Sequence, residues 1–392
     1  MGSSTRWWAH RPVATLRSVG RFTGIAGAVA TALACAASTA APAAAAPMPA
    51  TIAVTTKPII ALAAGGGRVA YRTHFTDQSG GVCNSVHVLS LSGGNASVPS
   101  PCVHTDDHGH GLALGAHVLV FDSVDRVPVN ATHDGAETTL WRVGPGGWTA
   151  LATEFYEITC SGAGIGPLAY GAGVAFTRTV MTEVDPAMEC LLGSGGGDGV
   201  SRMTSATMRY VPAGSTTPVT ISGAPGASRI AARWPALAIV PLRIPQPMGQ
   251  NVTPPTRGTN KIESWNLRTR TQRCTANVTG APTAVATNGS QIAAIVPISP
   301  GHRLVRISAR TCARLSSRAL DRHTQPELAM GRTVVAWVSG RSVMALDLRT
   351  HRVSRLFRGA LAPHGLALSN GQLAWWVTGQ AGGSRVLRLA LP

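Results

Sequence analysis

Three observations predict an all-β protein, a seven-bladed β-propeller closed by an N-terminal strand. A strand–turn–strand pattern recurs seven times in the 392 residues. Each copy is followed by one or two further strands with period-two alternation. The composition, with 44 Gly, 26 Pro and 5% aromatic residues, supplies turns in place of long helices. Four strands to a unit at spacings of ~40–60 residues match a propeller blade. A pair of β-sandwiches has no reason to repeat one motif seven times.

The elements follow in order. Ala50–Thr56 (ATIAVTT) is a strand without a partner of its own. The first copy, Leu62–Tyr71 (LAAGGGRVAY), leads to an alternating third strand at Val86–Leu91. Leu112–Phe121 is followed by Leu140–Val143, Leu168–Phe176 by Met208–Val211, and Ile230–Val240 by Ile262–Leu267. Val285–Ile295 leads to Leu304–Ile307, and Leu328–Trp337 to Val343–Leu348, with a fourth strand at His351–Leu356. The last copy, Leu366–Trp376, ends after a third strand at Val386–Leu391. Ala50–Thr56 therefore completes it, and the ring closes with no exposed edge. The uninterrupted apolar runs suit strands covered on both faces by neighbouring blades.

By this motif and the third-strand sequence VMALDLRT (343–350), the chain resembles TolB-like and WD-repeat β-propellers across nearly all of residues 48–392. The resemblance is architectural. Asn288-Gly289 and Asn370-Gly371 only echo the Pro-Asp-Gly turn of the TolB-like family, and there is no Trp-Asp dipeptide. It implies a propeller and transfers no catalytic residue.

Residues 1–46 are of another kind. Arg6, Arg11, Arg17 and Arg21 precede an apolar run from Phe22 to about Ala37, and small residues follow. That order describes a secretory signal peptide, with cleavage after Ala40 or Ala45. The run is too rich in Ala and Gly for a membrane anchor, which needs roughly 20 strongly apolar residues. Lipidation at Cys35 is the minor alternative. The expected location is outside the cell or at the cell envelope, with a propeller over 48–392 and no transmembrane segment after cleavage.

Six cysteines remain, an even number that reads as disulfides in an exported chain. Cys83 falls just before the third strand of blade one and Cys102 at the end of its fourth, so both thiols meet at one end of neighbouring strands, and Cys160 and Cys190 fall on two loops of one face. Cys274 and Cys312 pair only by elimination, because they sit in adjacent blades whose outer edges diverge. No C-x-x-C spacing marks a zinc or redox site.

Two features carry candidate chemistry. His104, Asp106, Asp107, His108 and His110 place five ligand-type side chains within seven residues, on the connection from blade one to blade two. Imidazoles and carboxylates are natural ligands of a divalent metal, and Asp321, His323, Glu327 and His364 are expected on other inter-blade loops of the same face. The strand-two to strand-three loops at 126–137, 183–205 and 246–260 are long, which suits binding over blades two to four. The second feature is charge. Residues 47–228 carry 8 basic against 13 acidic side chains, and residues 229–392 carry 22 against 4. A basic half attracts an anionic partner. Outside the cytoplasm that is an anionic cell-wall polymer or a polysaccharide before it is nucleic acid, because no stacking platforms for bases are evident. Another envelope protein is the other candidate partner.

No nucleophile is marked. The sequence favours a non-catalytic scaffold for ligands or proteins at the envelope over the alternative, a metal-assisted hydrolase or lyase at the channel mouth. Whether the protein is an enzyme stays open at this point.

Overall fold

The computed structural model describes residues 48–76, 82–90, 95–98, 111–115, 118–128, 134–144, 147–157, 162–183, 201–243, 258–379 and 382–391. The expected signal peptide lies outside them. The described residues form strands, with no helix among them. β1 (Ala50–Thr55) is followed by blade one: β2 (Ile59–Gly65), β3 (Arg68–Thr76), β4 (Val82–Ser90) and β5 (Asn95–Val98). Blade two is β6 (Leu112–Leu114), β7 (Leu119–Pro128), β8 (Asp134–Gly144) and β9 (Gly147–Glu157). Blade three is β10 (Gly162–Tyr170), β11 (Gly173–Glu183), β12 (Ser201–Pro212) and β13 (Val219–Pro225). Blade four is β14 (Ala227–Arg233), β15 (Ala236–Pro241), β16 (Lys261–Asn266) and β17 (Thr271–Asn277). Blade five is β18 (Ala284–Thr287), β19 (Gln291–Ile298), β20 (Gly301–Ser308) and β21 (Arg314–Leu320). Blade six is β22 (Thr324–Met330), β23 (Val334–Ser339), β24 (Ser342–Asp347) and β25 (Val353–Arg358). Blade seven is β26 (Pro363–Ser369), β27 (Gln372–Thr378) and β28 (Ser384–Ala390), completed by β1.

The first strand of each blade touches the first strand of the next, from β2 through β6, β10, β14, β18 and β22 to β26 and back to β2. The protein is thus a closed seven-bladed β-propeller. Closure is made by β1, which runs antiparallel to β28 with Ala50 opposite Arg388 and Thr55 opposite Ser384. The sheet joins the two ends of the propeller through backbone hydrogen bonds, and blade seven keeps four strands.

The core lies between blades. Ala70, Val86 and Val88 of blade one meet Leu114, Leu119 and Phe121 of blade two. A cluster of the same kind fills each of the other six boundaries. This is why the second strands are apolar at successive positions: β15 (ALAIVP) is buried throughout. Both of its faces contact a neighbouring sheet, so alternation is lost. The aromatic side chains of β23 and β27 follow the same logic. Trp337 packs toward blade five and Trp375 toward blade six.

Two expectations need correction. Much of the loop expected at 126–137 is paired strand, since β7 runs to Pro128 and β8 starts at Asp134. β11 likewise continues to Glu183, paired to Ser201 of β12. The Thr, Val and Ser content of these arms suits a β-ladder. Gly162 of β10 pairs with Tyr156 of β9, so blades two and three merge into one eight-stranded sheet. The second correction concerns Cys83, which lies inside β4 opposite Phe75 and not ahead of the strand.

Candidate functional site

A propeller has two working faces. The connection face holds the links between blades and the loops joining second to third strands. The turn face holds the turns joining first to second and third to fourth strands.

On the connection face, the expected metal ligands His104, Asp106, Asp107, His108 and His110 lie outside the described residues, as do Cys102, Cys160 and Cys190. Among the described residues no group of three or more His, Cys, Asp or Glu side chains is placed to hold a metal. Of the four other residues marked on this face, the fold brings Glu327 near His364, while Asp321 and His323 stay together at the exposed start of blade six. Asp321 accepts from the His323 amide at 2.8 Å and from the Ser339 hydroxyl. That ties the start of blade six to its own β23–β24 turn.

Glu327 lies on β22, and its carboxylate accepts from the backbone amides of Gly365 and Leu366 on β26. Those amides are offered by an irregularity in the β26–β27 ladder between His364 and Ala367. Such an extra residue breaks the pairing and turns its amides outward. Gly365 has φ +60, and a Cβ there would lie 1.5 Å from the Trp376 ring, so only glycine fits. His364 rests against Trp376 with ring centroids 5.9 Å apart. Burial pushes the Glu327 carboxyl above its ordinary value, against the opposing pull of the two amides and His364. The arrangement latches blade six to blade seven beside the channel mouth.

A polar row in the cleft between blades seven and one escaped the sequence reading. Thr73 Oγ1 lies 2.7 Å from Ser85 Oγ, which lies 3.1 Å from His87 Nε2, and the His87 ring stacks on Tyr71 at 4.8 Å. Burial, with Lys57 as a second cause, holds the His87 imidazole below its ordinary value. The signal was the i, i+2 spacing of Ser85 and His87, which places both on one face of a strand.

On the turn face, three consecutive blades repeat one turn. The sequences are Asn266-Leu267-Arg268-Thr269-Arg270, Ser308-Ala309-Arg310-Thr311-Cys312 and Asp347-Leu348-Arg349-Thr350-His351. In each, the first side chain accepts from the amide two residues on: Arg268 at 3.1 Å, Arg310 at 3.2 Å and Arg349 at 2.7 Å. The fifth residue donates back to the first carbonyl and takes positive φ, at Arg270, Cys312 and His351. The second residue donates to the inner turn of its own blade: Leu267 to Pro235, Ala309 to Ser290 and Leu348 to Thr333. Each arginine therefore stands on a backbone frame fixed by hydrogen bonds at both ends.

Cys312 belongs to the middle turn, and its disulfide to Cys274 on β17 crosses from blade five to blade four. The expected divergence of the outer edges is overcome because the turn, and not the strand, carries Cys312. The Cα atoms stand 5.7 Å apart, well inside bonding reach.

All four acids of residues 229–392 are engaged by neighbouring donors. Glu263 accepts from Trp265 Nε1 at 3.0 Å, and Asp347 accepts from the amides of Arg349 and Thr350 at 2.7 and 2.8 Å. Asp321 and Glu327 are held as described above. Arg268, Arg310 and Arg349 are exposed and form no ion pair with a described residue. By contrast, Arg178 meets Glu154 at 2.6 Å within the merged sheet of blades two and three.

Fold and site together define a seven-bladed β-propeller with a basic half. No protein-family model matches the chain, and no curated protein matches it. Among solved structures it is similar to puromycin hydrolase, at 12% identity and TM-score 0.51, over 85% of this chain and 52% of that one. It is also similar to the acylaminoacyl peptidase of Pyrococcus horikoshii, at 9% identity and TM-score 0.52, over 84% of this chain and 49% of that one. The chain spans about half the length of these two structures. The β-propeller domain of the Trilobed protease from Pyrococcus furiosus is covered over 91% of its length, at 9% identity and TM-score 0.48.

Proposed function

We propose that this protein is exported and serves, at the cell envelope or outside the cell, as a non-catalytic β-propeller scaffold whose ligands are anionic polymers. The observation that carries the reading is the excess of basic side chains in residues 229–392, 22 against 4, with Arg268, Arg310 and Arg349 exposed and in no ion pair with a described residue. The four acids of that half each accept hydrogen bonds from neighbouring groups, and they are far outnumbered by the basic side chains. Uncompensated positive charge fixed on a rigid scaffold raises the local concentration of anions and steers them inward. Export is supported by the basic, then apolar, then small-residue order of residues 1–46.

The test is binding of the purified chain to immobilised linear polyanions over a salt series. Retention should fall steeply as salt shortens the Debye length from ~10 Å at 0.1 M to ~3 Å at 1 M. A chain that passes polycarboxylate and polyphosphate columns unretarded at low salt would sink the reading. Export is checked separately, by locating the chain in cell fractions and sequencing its N-terminus.

A further inference from the structure

We infer that the turn face of blades four to six is a binding surface for an acidic polysaccharide, with Trp234 lying against a sugar ring and Arg268, Arg310 and Arg349 each holding an anionic substituent. The inference rests on the anionic-polymer reading and names its site and ligand class.

Periodicity is the first argument. Arg268, Arg310 and Arg349 occupy the same position of the same turn in three successive blades, all exposed. They form an arc in which each step is one blade. A linear polymer carrying an anion on its repeating unit can follow such an arc. The frames are rigid, so little conformational freedom is lost on binding beyond that of the guanidiniums themselves. Arginine, with its planar fork, suits two-point contact with carboxylate or phosphate oxygens. The one acid in the three turns, Asp347, is engaged by the amides of Thr350 and Arg349, which with the Arg349 charge as a lesser cause hold its carboxyl below the ordinary value.

Trp234 distinguishes a sugar polymer from other anions. It lies on the inner turn of blade four and is 39% exposed, among the few large apolar side chains left in water. The Arg268 guanidinium lies 5.9 Å from its ring centroid, within cation–π range. Sugar rings present an apolar C–H face that packs on an indole while their charged substituents reach outward. An aromatic plate joined to the first guanidinium of the arc offers both halves of that recognition. A single plate does not suit nucleic acid, whose successive bases want successive aromatic platforms.

The test uses the full chain, with polygalacturonate, inorganic polyphosphate and vesicles containing phosphatidylglycerol as probes. The variant Arg268→Gln/Arg310→Gln/Arg349→Gln is compared with an outer-strand variant, Arg355→Gln/Arg358→Gln/Arg385→Gln, which removes equal charge from exposed positions of blades six and seven outside these turns. Exposed charge pairs are worth about 3-fold each, so the turn variant should lose about 30-fold in polygalacturonate affinity. The outer-strand variant should lose under about 3-fold. Trp234→Ala should weaken polygalacturonate about 10-fold and leave polyphosphate unchanged. Unchanged melting temperatures confirm that the variants fold, and Arg310→Gln alone gives the single-site reading.

Equal losses in the two triple variants would overturn the site while leaving a diffuse anionic reading intact. A Trp234→Ala effect that is the same on both polymers would overturn the sugar assignment. Vesicle binding that exceeds polymer binding and vanishes in the turn variant would overturn the inference in favour of a membrane surface. Wild-type chain that binds none of the probes would remove the inference and the underlying reading together.

Discussion

Arg72 Nη1 donates to Asp122 Oδ1 at 2.8 Å across the boundary between blades one and two, with side chains 2% and 6% exposed. The same Asp122 oxygen accepts from the Gly111 amide at 3.0 Å, next to the start of β6. One carboxylate thus joins a strand of blade one to the first strand of blade two. Burial pulls the guanidinium below its ordinary value and Asp122 opposes that shift.

Removing both partners should cost less than the two single removals added together. Asp122→Asn takes the carboxylate from a buried guanidinium, Arg72→Met takes the guanidinium from a buried carboxylate, and each should destabilise by about 3–5 kcal/mol. The double replacement should cost distinctly less than the two single ones summed. Urea denaturation of all four proteins gives the cycle, and strict additivity would mean that the pair acts as two independent side chains.

Closure by β1 gives a second expectation. Deleting residues 47–57 removes the strand paired with β28 and leaves that edge open. The truncated chain should aggregate or elute as a broad high-mass species in size-exclusion chromatography. A monomer with unchanged melting temperature would show that the three remaining strands of blade seven hold the ring unaided.

The Cys274–Cys312 bridge closes a loop of 38 residues between adjacent blades. On the chain-entropy model such a loop contributes about 4 kcal/mol. Cys274→Ser/Cys312→Ser should lower the urea midpoint accordingly without changing the fold. Peptide mapping without reduction should recover the two cysteines joined.

Glu327 gives a pH dependence of known sign. Its raised pKa means that the folded chain keeps this proton to higher pH than the unfolded chain does. The stability it contributes is complete below the ordinary value of 4.5 and is lost as pH rises through the raised one. The melting temperature of wild type relative to Glu327→Gln should therefore fall as pH rises above 4.5 and level off once the raised value has been passed. A difference that stays flat, or rises with pH, contradicts a carboxyl destabilised by burial.

The blades were legible because each one repeats the pattern of apolar strand, small-residue turn and apolar strand. Seven copies over 392 residues leave little else for the chain to be. Glu327 and His364 were legible as residues of one face, but both lie inside first strands, β22 and β26, and not on the loops ahead of them. The turn arc was only partly legible. The charge excess was plain, but the meaning of three similar pentapeptides depends on knowing that all three link third to fourth strands.

The sequence by itself determined the architecture, the number of blades, the strand that closes the ring and the division into an acidic and a basic half. These are set by periodicity and by counts of charge, and both are local or additive properties of the chain. Tertiary structure alone decided which side chains meet across blades. Arg72 and Asp122, Glu327 and the amides of Gly365 and Leu366, and Cys274 and Cys312 are each joined across a boundary between sheets. No pattern along one strand encodes those meetings, because they depend on the bulge that turns two amides outward and the turn that carries a cysteine back. Each of those is fixed only when a neighbouring blade packs against it.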